Sequence, residues 1–210
     1  MKNQYVGDIN DYRKYGLLRI LARRLTIGVC WMLTKDDGRP DGLKIKYLDA
    51  KERWRSHDSD LFEVLYKIVK KENCRHICEV ENRGVIPSGL FYSELLVSEK
   101  EARCAYFSSA FERLRSSDII FFDPDNGVRY RLGWSRRYLY GDELARAFRR
   151  GHSVLATNTF HMNCDRRSLR ALRNAFGMQR RHNGLCSLGH LTSSFFLLPR
   201  RGTVSRSTPR

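Results

Sequence analysis

A chain of 210 residues, 41% of them hydrophobic and 11% aromatic, can build the core of one domain, which excludes wholesale disorder. No stretch approaches the roughly 18–20 consecutive apolar residues of a membrane span, and none precedes Asp8, so neither a membrane anchor nor a secretory leader is expected and the chain reads as cytoplasmic. Its 39 Lys and Arg against 23 Asp and Glu give a net charge of +16, which points to an anionic partner, nucleic acid first among them.

Asp11–Leu25 places Tyr15, Leu17, Leu18, Leu21, Ala22 and Leu25 at helical spacing, with Asp8 or Asn10 available as a cap. Ile27–Leu33 is an apolar run of β type, stopped by the turn-forming Lys35–Pro40. Lys44–Leu48 alternates in the manner of a strand and ends at Asp49. Asp58–Lys71 is a capped helix with Leu61, Phe62, Leu65, Ile68 and Val69 on one face, and His76–Val80 reads as a short strand. Ser98–Arg115 is helical and leads into Asp118–Phe122, the most strand-like run of the chain. Asp142–Arg150 is a helix, Ser153–Ala156 a strand and Asp165–Phe176 an arginine-faced helix. Met178–Cys186 and Leu191–Leu198, around Gly189, form the arms of an antiparallel hairpin.

Strands alternating with helices predict a three-layer, doubly wound α/β sheet, mostly parallel, that closes with the antiparallel hairpin. The domain runs over 1–198, and 199–210, basic and rich in Ser and Thr, reads as a disordered tail. With six cysteines and no expected leader, a disulfide framework is not anticipated. Cys74, His76 and Cys78 have the spacing of half a zinc site, but no second half follows, so no metal centre is expected there.

In such a sheet ligands bind outside the carboxyl ends of the strands. The sharpest strand end is Asp123-Pro124-Asp125-Asn126-Gly127, where a buried strand delivers two carboxylates, an amide and a tight turn to the rim of the sheet. Gly7, Asp8, Asn10, Asp11 and Lys14 crowd the start of the first helix, and an N-cap explains only one of the three polar residues Asp8, Asn10 and Asp11. Glu79 and Glu81 follow the expected His76–Val80 strand, where a carboxylate can accept from a ribose diol. Thr157–His161 follows the next strand and completes the set of candidate rims.

Two of these segments carry a resemblance. Gly7-Asp8-Ile9-Asn10-Asp11-Tyr12-Arg13-Lys14-Tyr15 is similar to the N-terminal Gly-Asn-x-Ala-Asp-x-x-Lys-His segment of the bacterial 23S rRNA adenine-N6 methyltransferases of the RlmJ type, and Asp123-Pro124-Asp125-Asn126 stands where that family has Asp-Pro-Pro-Tyr. The resemblance spans most of 7–198 and implies a Rossmann-like enzyme that uses S-adenosylmethionine to methylate an adenine amine in RNA or DNA. It implies that Asp123 accepts from the target amine, with Pro124, Asp125 and Asn126 completing the catalytic loop. It further implies that Gly7, Asp8, Asp11 and Lys14 wall the cofactor, with Asp49 after the first core strand and Glu79 or Glu81 on the ribose. The sequence departs from the family at three places: Leu48–Arg53 holds no glycine, Asn126 replaces the aromatic residue, and Asp125 replaces the second proline.

Those departures leave two other readings open. Asp123-x-Asp125 at a strand end can hold Mg²⁺ in a nuclease or phosphoryl transferase, and Pro40-Asp41 followed by Asp49-Ala50-Lys51 is a weak nuclease-like pattern. The third reading is a nucleic-acid-binding protein with a lapsed pocket. All three use the charge asymmetry. Between Arg129 and Arg210 there are 17 arginines and three acids, Asp142, Glu143 and Asp165. Helical spacing groups Arg166, Arg170 and Arg173, with Arg180 and Arg181 following, as the expected nucleic-acid-binding face.

Overall fold

In a computed structural model the described residues are 1–129, 133–158, 186–188 and 194–198, the last two segments as backbone only. The elements in chain order are α1 (Ile9–Ala22), β1 (Ile27–Cys30), α2 (Lys51–Arg55), α3 (Ser59–Tyr66), α4 (Ile77–Asn82), β2 (Leu90–Tyr92), α5 (Lys100–Arg113), β3 (Ile119–Phe122), β4 (Val128–Arg129), β5 (Leu139–Tyr140), α6 (Gly141–Arg149), β6 (Ser153–Asn158), β7 (Cys186–Leu188) and β8 (Ser194–Leu198). A six-stranded sheet has the order β2-β1-β3-β6-β8-β7. Its first four strands are parallel, and β8 runs against both β6 and β7. The chain thus has the mixed α/β fold that the alternation predicts, with a mostly parallel sheet.

Apolar side chains of alternate parity divide between the two faces of this sheet. Ile27, Val29, Ile119, Phe121 and Leu155 join α1, α3 and the 3₁₀ turn Lys46–Asp49 in one core. Gly28, Cys30, Ile120, Phe122, Val154 and Ala156 face the other way, and all but the glycine join α5 and α6 in the second core. Burying a side chain as large as Phe121 or Phe122 stabilises by about 1.5–3 kcal/mol. Gly28 is required because a Cβ there would lie 2.7 Å from Ser117 Oγ, in the turn between α5 and β3.

The first core strand is β1, and Lys44–Leu48 is not a strand. Tyr47 and Leu48 are both buried although they are neighbours in sequence, which a 3₁₀ turn allows and strand alternation forbids. His76–Val80 is likewise helical: Ile77 and Val80 are the buried pair, and the spacing of three suits α4. Its entrance is capped by His76 Nδ1, which accepts from Cys78 N–H, and by Asn3 Oδ1, which accepts from Ile77 N–H. The second parallel strand is instead β2, three half-buried residues after the turn at Ser88 and Gly89. β1 also ends earlier than its apolar run, because Met32 turns to a φ of 48° before Leu33 bridges Leu95. The expected helix Asp165–Phe176, residues 178–185 and the tail lie outside the described residues.

Candidate functional site

β1 sends its successor β2 to one side and β3 to the other, so the switch of direction in the sheet falls between β1 and β3. Outside their carboxyl ends lies a cavity of about 310 Å³ whose wall includes Asp8, Asp11, Lys14, Asp123, Pro124, Asp125, Asn126 and Thr157. Tyr5, Asn10 and the Asp41–Lys44 loop close the opposite side.

The floor is a buried charge relay between two elements distant in sequence. Lys14, one turn into α1, places Nζ 2.7 Å from Asp11 Oδ1 and 2.6 Å from Asp123 Oδ2. Thr157, beside Asp123 in the β3–β6 register, donates its hydroxyl to Asp123 Oδ1 at 3.0 Å. Asp11 Oδ2 accepts from Gly7 N–H at 3.1 Å and from the Tyr15 hydroxyl at 3.0 Å. Asp8 is the N-cap of α1, accepting from Asn10 and Asp11 N–H. Gly7 has a φ of 82°, a left-handed conformation that turns its amide onto Asp11. Lys14, Asp11 and Asp123 are each less than a tenth exposed.

This burial sets the protonation chemistry. Loss of solvent pushes the Asp11 carboxyl up to about 6 against the pull of Lys14, with Asp8 and Asp123 adding to the rise. Burial opposes the Lys14 ammonium, yet Asp11 and Asp123 outweigh it and hold the amine above the ordinary lysine range. Tyr15 is held well above the ordinary phenol range, first by burial and then by the same two carboxylates.

The carboxylates of Asp123 and Asp125 are held apart, although the Met1 amino group that meets Asp125 also donates to the backbone carbonyl of Asp123 at 2.8 Å. Asp125 Oδ2 accepts from the Thr34 hydroxyl at 2.9 Å, and its Oδ1 lies 2.7 Å from the Met1 amino nitrogen. The two carboxylates of Asp123-x-Asp125 thus face different cations, Lys14 for Asp123 and the Met1 amino group with Lys2 for Asp125. Among the described residues the one gathering of possible metal ligands is Glu72, Cys74 and Glu79, and the Arg83 guanidinium already bridges its two carboxylates.

Of the residues singled out in the sequence, Asp8, Asp11, Lys14, Asp123, Pro124, Asp125 and Asn126 line the cavity, and Gly7 holds Asp11 from behind. Glu79, Glu81 and Asp49 do not line it. Glu81 accepts from Trp31 Nε1 at 2.8 Å, Glu79 pairs with Arg83, and Asp49 pairs with Lys70 at 2.8 Å. Their expected position depended on strands at 44–48 and 76–80 that are helical turns. Asp41 reaches the cavity without Asp49, so the Pro40-Asp41 and Asp49-Ala50-Lys51 pattern does not assemble there. Arg166, Arg170, Arg173, Arg180, Arg181 and His161 lie outside the described residues. Sequence reasoning missed Thr34 and Lys44. The signal for Lys44 is Gly42, whose φ of 82° and close approach to Tyr5 fold the loop over the cavity.

Comparison with family profiles, with curated proteins and with solved structures finds no match to this chain.

Proposed function

We propose that the cavity is the active site of a nucleic-acid methyltransferase that moves a methyl group from S-adenosylmethionine to an amino group of a base, adenine N6 being the group the resemblance favours. The observation that carries the reading is Asp123, delivered by the central strand to the floor of an acid-rich cavity and fixed there by Lys14 and Thr157. The sheet supports it too: β8 is the reversed strand between two of like direction, as the closing hairpin of the Rossmann-like methyltransferase type requires.

The chemistry of the wall fits this cofactor. Five carboxylates, from Asp8, Asp11, Asp41, Asp123 and Asp125, face three cations, Lys14, Lys44 and the Met1 amino group. In a protein of charge +16 that is a local reversal of sign. It favours a ligand that brings a cation and N–H donors and disfavours a phosphate on the floor. S-adenosylmethionine supplies a methyl carbon on a cationic sulfur, which departs as a neutral thioether when the amine nitrogen takes the methyl group.

The chain's own residues do the rest. An ionised carboxylate offers about four acceptor positions. Lys14 and Thr157 take one each on Asp123, so positions remain to orient a substrate amine by its N–H groups. Pro124 fixes the loop so that Asp123 leaves the strand extended. The amine must shed a proton as its nitrogen becomes alkylated, and Asp123 is the base within reach of it. Lys14 Nζ, 2.6 Å from Asp123 Oδ2, holds the carboxylate in that position.

Calorimetric titration with S-adenosylhomocysteine tests the reading directly, with methyl incorporation into RNA and DNA as the activity measurement. Binding is expected without added metal, and Asp123→Asn is expected to abolish methyl incorporation. Failure to bind S-adenosylhomocysteine, together with cleavage of nucleic acid dependent on Mg²⁺ or Mn²⁺, would replace this reading with the metal-dependent nuclease.

A further inference from the structure

We infer that the segment 133–140, immediately beyond the Asp123–Asn126 loop, is a pre-organised docking loop for single-stranded nucleic acid, positioned to hold the strand on either side of a base in the cavity. The inference rests on the proposed function for its choice of cavity, but its evidence is separate.

The first observation is charge. From Val128 to Gly141 the sequence holds four arginines and no acid. Arg129, Trp134, Arg136 and Arg137 are exposed, and among the described residues none of these three arginines pairs with a carboxylate. Arg129 lies instead over the Tyr138 ring, its guanidinium carbon 3.7 Å from the centroid. Trp134 is 38% exposed, and Lys100 Nζ lies 5.5 Å from its ring centroid, a contact that a stacking base would have to share or displace.

The second observation is rigidity. An exposed loop rich in arginine is ordinarily mobile, yet this one is held by a fully buried arginine from α5. Arg103 donates through Nη1 to Ser135 O at 3.3 Å and through Nη2 to Tyr138 O at 2.7 Å. Its charge is balanced by Glu143 of α6, at 2.5 Å from Nε and 2.9 Å from Nη2. Ser135 N–H donates to the Tyr140 hydroxyl at 3.1 Å, against which Gly133 packs too closely for a Cβ. Fixing a loop in this way removes the ordering entropy that binding would otherwise cost.

The third observation joins loop and cavity. Asn126, on the cavity wall, donates its N–H to Arg137 O at 2.8 Å, and Leu139 N–H donates to Gly127 O at 3.0 Å. The basic loop is therefore hydrogen-bonded to the catalytic loop itself. Arginines bind phosphates and an exposed tryptophan stacks on a base, which is the recognition pattern of single-stranded nucleic acid. The acid cavity repels phosphate while the loop attracts it, so a base is drawn inward and its backbone is held outside.

Two variants test this, Arg136→Gln with Arg137→Gln, and Trp134→Ala, measured by fluorescence anisotropy with a labelled mixed-sequence single-stranded oligonucleotide over a range of salt. The arginine pair is expected to weaken binding and to flatten the slope of log affinity against log salt by about 1.4, for two phosphate contacts on a single strand. Trp134→Ala is expected to weaken binding about tenfold with the slope unchanged, the signature of lost stacking. Both variants should bind S-adenosylhomocysteine as the parent does. Unaltered oligonucleotide binding by both variants, or a parent that binds no oligonucleotide at low salt, overturns the docking loop even if S-adenosylhomocysteine binds. Conversely, loop-dependent oligonucleotide binding in a chain that takes no S-adenosylhomocysteine supports the loop and fails the methyltransferase.

Discussion

Lys14 of the first helix and Asp123 at the end of the central strand, 109 positions apart in sequence, meet at 2.6 Å, and Asp11 completes the triad from the helix side. One ammonium thus compensates two buried carboxylates. Lys14→Met would leave both without a cation, and breaking a buried pair by removal of one partner costs about 3–5 kcal/mol. Urea unfolding should show this loss. Asp11→Asn combined with Lys14→Met should recover part of it, because one stranded carboxylate has then been removed. Equal stability of parent and Lys14→Met would mean that the triad is solvated.

The pH dependence has a definite sign. Asp11 is raised from 3.8 to about 6 in the folded chain, so the folded state retains a proton that the unfolded state has released. Its contribution to stability is full below about pH 4 and is lost as pH rises through about 6. Burial also raises Glu81 and Glu143, which act in the same direction but remain in the variant. The difference between parent and Asp11→Asn therefore isolates Asp11. Unfolding free energies collected across that range should fall more steeply for the parent, and parallel curves would contradict the raised carboxyl.

Gly7→Ala tests the backbone that aims the site. An alanine there would adopt a φ of 82° and set its Cβ 2.4 Å from Val69 Cγ2. Overpacking of this kind costs about 1–3 kcal/mol. Adding Val69→Ala relieves the clash but leaves the left-handed strain of about 1 kcal/mol. Full recovery in the double variant would show that the Gly7 conformation is unimportant.

The central strand and the acid turn behind it are legible in the sequence because Ile119-Ile120-Phe121-Phe122 is wholly β-branched or aromatic and short, and because Pro124 fixes how the chain leaves it. The start of α1 is legible from the same logic, an excess of polar groups over what a cap needs. The β2 side of the sheet is not. Leu90–Tyr92 is too short to show a period, whereas His76–Val80 has enough apolar character to imitate a strand. Ile77 and Val80 decide for a helix only once their common burial is known. The pairing of Trp31 with Glu81, separated by 50 positions, leaves no local trace at all.

Arg103 and Glu143 make a second buried pair, and its consequence is local geometry. Arg103→Met strands Glu143 in the core and should cost about 3–5 kcal/mol. Replacing both, as Arg103→Met with Glu143→Leu, should restore much of that stability while leaving Ser135 O and Tyr138 O without their donor. The double variant separates the two roles: global unfolding recovers, but Trp134 fluorescence should become more accessible to a quencher. Unchanged quenching would show that the loop holds its shape without Arg103.

At Glu79 and Glu81 the structure departs from the family resemblance. The resemblance implies a carboxylate on the cofactor ribose at this place. The structure turns Glu81 onto Trp31 and Glu79 onto Arg83, and neither residue lines the cavity. Glu81→Gln keeps an acceptor for the Trp31 indole N–H, and Glu79→Gln keeps one for Arg83, so both chains should fold. If the cofactor occupies the Asp123 cavity, each variant should bind S-adenosylhomocysteine nearly as the parent does. Asp8, at the rim of that cavity, then becomes the candidate acceptor for the ribose, and Asp8→Ala should weaken binding along with loss of the α1 cap, worth about 1 kcal/mol. A loss of about tenfold, or 1.4 kcal/mol, in Glu81→Gln alone would move the cofactor to the β2 side of the sheet and away from the cavity.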